Sequence, residues 1–360
     1  MPGPGSRRTT LTLAALLGGA LALGVASSGA PALAGGPHRG DATAAPVVTG
    51  YVLDGAPDRL VHANASGLDE LGVDGVALDA DGADFADPSA GAVRLLGTGH
   101  DEGLRAELLL NNYSNKIGDF DSDAAAKLLR DDDHVRAVAQ RLADIAVDQG
   151  WDGITVDLES LHRKDADGLV LLMSELQDRM PAEKTVTVDL MASTDLGEFR
   201  SRGYQLTDVA AVADVVAVMT YDQHGPGWSG PGPVGGLAWQ RDVLDTLTPR
   251  VPLAQVDLGV AGYGYTWPKH GTGHTVSVAA ARRLVKKDGA KAVWKARAAE
   301  WTAHLSNGTV LWWSDGRSYA RRQALATSYG VHGLALWRLG STDELPRAEP
   351  AKAGNRSQVE

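Results

Sequence analysis

Asp157 and Glu159 close a nine-residue run, Trp151-Asp152-Gly153-Ile154-Thr155-Val156-Asp157-Leu158-Glu159, in which polar and aliphatic side chains alternate. A period of two marks a β-strand, and residues two apart share a face. Thr155, Asp157 and Glu159 are therefore expected to point one way, and Ile154, Val156 and Leu158 the other. Carboxylates turned inward at a strand's C-terminal end carry a desolvation cost that a purely structural strand avoids. That end is where barrel enzymes keep their chemistry.

Other chemistries find little support. The chain has no cysteine and no G-x-S-x-G elbow, and its ten histidines include no H-E-x-x-H pair. There is no P-loop, and Gly262-x-Gly264 lacks the third glycine of a dinucleotide site. No metal and no cofactor are expected. Carboxylate acid–base chemistry remains. Ordinary retaining glycosidases set two carboxyls about 5–5.5 Å apart on opposite sides of a sugar, and inverting ones about 6.5–9.5 Å apart. Two acids on one strand approach from the same side, which suits an acid and a helper. The nucleophile could then come from the substrate, as the 2-acetamido oxygen of an N-acetylhexosamine.

The elements that must position these acids follow a regular rhythm. Strands are expected at 47–53, 73–78, 106–110, 151–159, 185–191, 215–220, 255–261 and 333–337, with helical patterns between most of them. Asp131-Asp132-Asp133 offers N-cap oxygens to a helix with Val135, Val138, Leu142 and Ile145 on one face and Gly150 at its end. Asp165 or Asp167 would cap the next helix. Eight parallel strands alternating with helices predict a TIM (β/α)8 barrel, with a doubly wound open sheet as the competitor. Between Trp267 and Leu311 the rhythm changes and Lys and Arg cluster, which reads as a small α+β insertion, approximately 268–310, before the last strand. The barrel as a whole is expected to span 47–342.

The two ends read differently. Arg7-Arg8, the apolar stretch Leu11 to Val25 and Ala32-Leu33-Ala34 form the pattern of a secretory signal peptide over 1–34, cleaved after Ala34. A leader (35–46) follows, and 343–360 reads as a disordered tail. Cleavage takes the formal charge from −11 to −13. An acidic secreted chain is a poor partner for nucleic acid or anionic lipid. No membrane span is expected in the mature protein, which is read as an extracellular monomer.

The residues Asp152 to Glu159 resemble the D-x-x-D-x-D-x-E signature of glycoside hydrolase family 18, the chitinase and endo-β-N-acetylglucosaminidase family. Met219-Thr220-Tyr221-Asp222 is similar to the family's M-x-Y-D, Gly50-Tyr51 to its first-strand G-Y, and Trp337 to its last-strand tryptophan. The likeness runs from Val47 to Gly340 and is greatest to the bacterial branch of spore-cortex and cell-wall glucosaminidases. It implies a TIM barrel hydrolysing an N-acetylglucosamine-containing polysaccharide, peptidoglycan or chitin, through an oxazolinium intermediate. It further implies Glu159 as acid and base, Asp157 as helper to the acetamido group, and Tyr221 as donor to the acetamido carbonyl. Asp222 would bind nearby sugar groups, Trp337 would floor the −1 subsite, and Tyr51 would line it. Met219 falls to the substrate-binding set by the same likeness, and Asp152 and Thr155 are motif positions. Thr155 departs from the family, which has an acid there that tunes the helper aspartate; threonine brings no charge.

Position alone suggests that Asn111, Asn112 and Asp189 line the cleft. Trp228, Trp239, Trp312 and Trp313 either stack on sugars or pack the barrel rim. The rival function is a carbohydrate-binding, lectin-like barrel without turnover, against which the presence of Glu159 argues.

Overall fold

The computed structural model describes residues 45–346, so the signal peptide, most of the leader and the end of the tail lie outside the described residues. Seven barrel strands come first: β1 (Val47–Leu53), β2 (Glu70–Ala77), β3 (Arg105–Asn111), β4 (Gly153–Asp157), β5 (Thr185–Met191), β6 (Val215–Met219) and β7 (Val256–Ala261). Five further strands follow, β8 (Tyr263–Trp267), β9 (Thr275–Ser277), β10 (Val293–Lys295), β11 (Glu300–His304) and β12 (Val310–Trp313), before the last barrel strand, β13 (Gly333–Trp337).

The barrel is closed in the order β1-β13-β7-β6-β5-β4-β3-β2, and every pairing in it is parallel. Closure satisfies every strand's ladder and leaves no edge, which the competing open sheet would have exposed. Aliphatic residues such as Ile154, Val156, Val186 and Val188 are fully or almost fully buried in the main core with the surrounding helices. The helix Asp132–Gln149 shows how the sequence sets its limits. The Asp131 carboxylate accepts from the backbone N–H groups of Asp133 and His134, and Gly150 ends the helix at φ 85°, a left-handed conformation open to glycine. Val135, Val138 and Leu142 form its buried stripe.

Three expectations need correction. The strand expected over 151–159 is shorter. β4 stops at Asp157 because the Glu159 N–H donates to the Asn112 side chain (2.9 Å) instead of to a neighbouring strand, and Ser160 turns the chain at φ 57°. Glu159 thus stands on the loop beyond the strand. The antiparallel sheet of the insertion, in the order β9-β8-β12-β11-β10, begins at Tyr263, five residues before the expected bound. Helix Val278–Asp288 packs on it through Val278, Ala281 and Val285. Finally, the chain is held past Asp343, where a disordered tail was expected to start. Asp343 pairs with Arg282 and accepts from the Gly316 N–H, and buried Leu345 donates its N–H to Asn64 (2.8 Å).

One buried ion pair ties the insertion to the barrel. Arg322 and Glu300 are both completely enclosed at 3.0 Å. Glu300 accepts the N–H groups of Val234 and Gly235, and Arg322 donates to the carbonyls of Gly235 and Ala299. Removing one member strands the other charge without water. Glu300→Ala is expected to lower unfolding free energy by about 3–5 kcal/mol in urea titrations. Replacing both residues with apolar ones of similar volume should recover most of that loss.

Candidate active site

A cavity of about 390 Å3 opens at the C-terminal ends of the barrel strands. Tyr51, Asn111, Asp157, Glu159, Asp189, Met219, Tyr221, Asp222 and Trp337, nine of the residues singled out in the sequence, all line it. Each sits near or just beyond the C-terminal end of its strand, so closure of the barrel alone gathers residues nearly 290 positions apart.

Local packing orients them. The Tyr51 ring lies over Gly72 on the neighbouring strand, where a Cβ would come within 2.4 Å of it. Only glycine leaves room for that ring. Tyr51 in turn meets the Trp337 ring at 6.1 Å between centroids. Asn112 holds the Glu159 backbone from both sides, its Oδ1 accepting the Glu159 N–H and its Nδ2 donating to the Glu159 carbonyl (3.0 Å). Asp222 takes φ 57° and accepts hydroxyl hydrogen bonds from Tyr263 and Tyr265 (2.8 Å for the latter). The insertion therefore braces a cleft residue through its first strand.

Other expected residues have different placements. Asn111 is in the wall, but its amide is engaged, donating to Asp74 (2.6 Å) while its Oδ1 accepts the Tyr113 N–H. Asp152 is not in the cavity. It lies at the other end of β4, bonded to the Ala106 N–H and to His100, both at 2.8 Å. Thr155 lies below Asp157 and donates to the buried Glu107 carboxyl (2.8 Å). Trp313 is core, stacked on Trp301 at 6.3 Å. Trp228 and Trp239 line a second cavity of about 310 Å3 that shares Glu159, Met219, Tyr221 and Asp222 with the first. Trp239 and Trp312 line a third with Lys295 and Arg297. Reading the sequence missed Asp74, Arg338, Tyr263 and Tyr265. The tyrosines lie in a Gly-Tyr-Gly-Tyr run after β7 whose alternation was a usable signal; Asp74 stood in a strand without any.

Confinement governs the electrostatics. Burial, then the neighbouring Asp74, pushes the Asp157 carboxyl up to about 7. Burial raises Asp74 to about 6, against the Asn111 hydrogen bond. Glu107 rises to about 8 through burial and then Glu70. Glu159 is held well above the usual carboxylate range by burial first and by the charge of Asp157 second. A carboxyl whose proton is held above the usual range is suited to act as an acid.

The chain matches the model of glycosyl hydrolases family 18 over residues 117–342. It belongs to that family. Among curated relatives, the uncharacterized glycosylase YvbX of Bacillus subtilis strain 168 is 24% identical over 250 residues, covering 67% of this chain and 72% of YvbX. The cortical fragment-lytic enzyme of the same organism is 23% identical over 247 residues, 65% of this chain and 56% of its own length. Two solved structures share the fold. The chitinase of Chromobacterium violaceum aligns at TM-score 0.74 and 26% identity over 83% of this chain and 96% of its own. The spore cortex-lytic enzyme SleL of Bacillus cereus aligns at 0.72 and 20% over 82% and 71%. The protein is thus a family 18 hydrolase on a TIM barrel, and the described residues include no helix long and apolar enough to cross a membrane.

Two outcomes follow from the geometry. Carboxyls of an unfolded chain titrate near 4, so Asp74, Asp157 and Glu107 hold protons more tightly when folded. Their stabilisation is complete below about pH 4 and drains away as the pH rises through 6 to 8. The thermal midpoint should be higher at pH 5 than at pH 8.5, and Asp157→Asn should narrow the gap. Asn112→Ala should lower stability by about 1–3 kcal/mol, read by urea unfolding, because it leaves the Glu159 backbone groups unpartnered.

Proposed function

We propose that the protein is a secreted glycosidase that hydrolyses β-1,4 bonds of an N-acetylglucosamine-containing polysaccharide by substrate-assisted retention. The observation that carries this reading is the pairing of a partly buried Glu159 with a buried Asp157 on one wall, the latter's Oδ1 without a hydrogen-bond partner among the described residues. An acetamido N–H is a donor that such an oxygen lacks. Glu159 protonates the glycosidic oxygen as the acetamido oxygen attacks C1 from the opposite face, and the leaving sugar departs. Asp157 accepts the N–H of the resulting oxazolinium ion, whose positive charge it stabilises, and the Tyr221 hydroxyl orients the acetamido carbonyl. Glu159, now ionised, takes a proton from water as its oxygen joins C1, which restores the amide and the acid with overall retention. Trp337 offers a flat apolar face below the sugar.

The continuation of the cleft favours an anionic polymer. Beyond Trp228 and Trp239 it reaches Lys295 and Arg297, neither of which has an ion-pair partner among the described residues. Peptidoglycan carries carboxylates on the peptides attached to its muramyl residues and chitin carries none, so peptidoglycan is the preferred reading. The names of the cortex-lytic relatives support the same choice.

The test is mass spectrometry of the products from purified peptidoglycan and from chitooligosaccharides, with Glu159→Gln in parallel. The expected products end in reducing N-acetylglucosamine, released first as the β-anomer, and Glu159→Gln should fall by at least about 10²-fold. Activity should be lost as the pH rises through the raised Glu159 value. Equal release by parent and variant would overturn the assignment, and binding without release would favour a lectin.

A further inference from the structure

Thr155 leaves Asp157 without a charged partner on its own strand, since its hydroxyl is engaged with Glu107 one layer down. The neighbouring strand supplies another carboxyl. β4 and β5 pair in register up to Val156 opposite Val188, which brings Asp157 level with Asp189. Adjacent strands lie about 4.8 Å apart, and both side chains face the same cavity. Asp189 is 7% exposed and Asp157 8%, and the Oδ1 of each is enclosed with no hydrogen-bond partner among the described residues. Two buried acceptors side by side, neither provided with a donor, are satisfied together by one proton between them.

We infer that Asp157 and Asp189 form an inter-strand carboxyl pair holding one proton, with Asp189 as the positioning partner that replaces the acid absent at Thr155. This rests on the glycosidase reading for its catalytic consequence, but not for the existence of the pair. The proton stays within the pair throughout turnover. When positive charge develops on the oxazolinium ring, it moves onto Asp189, so that Asp157 meets the acetamido N–H as an anion. When water joins C1 and the amide is restored, it returns to the space between them. The C1–O bond to the leaving sugar breaks, the bond to water's oxygen forms, and the pair neither gains nor loses a proton overall.

The surroundings favour a single shared proton. Tyr51, Asp74, Glu107 and Asp257 face the pair from β1, β2, β3 and β7, and Glu159 and Tyr221 from the loops. All are neutral or negative. Among the described residues, Arg338 is the one lysine or arginine lining the cavity. Burial, then Asp157, raises Asp189 well above the carboxylate range, as expected where two like charges would otherwise coexist.

The experiment combines carboxyl 13C NMR titration with kinetics on both purified peptidoglycan and a chitooligosaccharide, for the full chain, Asp189→Asn, and Asp189→Asn with Thr155→Asp. In the parent, the Asp157 and Asp189 signals should titrate together in two widely separated steps. Asp189→Asn should remove one step and shift the Asp157 titration downward by more than about one pH unit, because a like charge has gone. Its kcat should fall about tenfold or more with KM within about threefold, and its pH–rate profile should change shape. Restoring an acid at 155 should recover much of kcat. Independent single-step titration of the two carboxyls would overturn the pair. An intact paired titration with unchanged kcat in Asp189→Asn would overturn the positioning role. Paired titration in a protein without turnover would leave the pair standing and sink the glycosidase reading instead.

Discussion

A closed parallel barrel brings the C-terminal ends of all its strands to one mouth, and inward side chains there have little water to share. Charge at that mouth is therefore expensive, and the residues around it are arranged to manage protons. Asp74, Asp157 and Glu107 all titrate above their ordinary range because burial disfavours their ionised forms. The same burial raises Glu159, the residue that donates the proton in the proposed mechanism.

The support around the mouth is unequal. Asp157 is carried by a strand whose pairing on both sides sets its position. Glu159 lies past the strand's end and depends on Asn112, which binds both its backbone polar groups. Asp222 depends on the insertion, whose first strand contributes two tyrosine hydroxyls. The insertion is anchored by the buried Glu300–Arg322 pair, which also binds the backbone of the loop at Val234 and Gly235. A domain-like addition remote in sequence from the acids is thereby part of how the cleft keeps its shape.

Much was legible from spacing. Alternation located β5, and short apolar runs located β1 and β13, with the bounds they have in the structure, because a strand between helices is bounded by the turn residues that release it. Asp131 and Gly150 marked a helix because capping is chemistry local to a few residues. The nine cavity residues named from the sequence are together because they lie near or just beyond the C-terminal ends of barrel strands, and strand ends are visible in the pattern. Where alternation continued past a strand, as in Leu158-Glu159, it overran the true end, since nothing in the pattern reveals that a distant asparagine takes the N–H.

The sequence by itself determined the barrel and singled out the two candidate acids, since these depend on periodicity and on residue type. Which partners each acid has was decided only in three dimensions. Asp157 and Asp189 are 32 positions apart in the chain and level on adjacent strands because of the barrel's register. Thr155 is committed to Glu107, Asp152 to the far end of the barrel, and Tyr263 and Tyr265 to Asp222, through contacts that no local spacing encodes. A hydrogen bond between distant segments depends on how the chain closes, and closure is a property of the whole barrel.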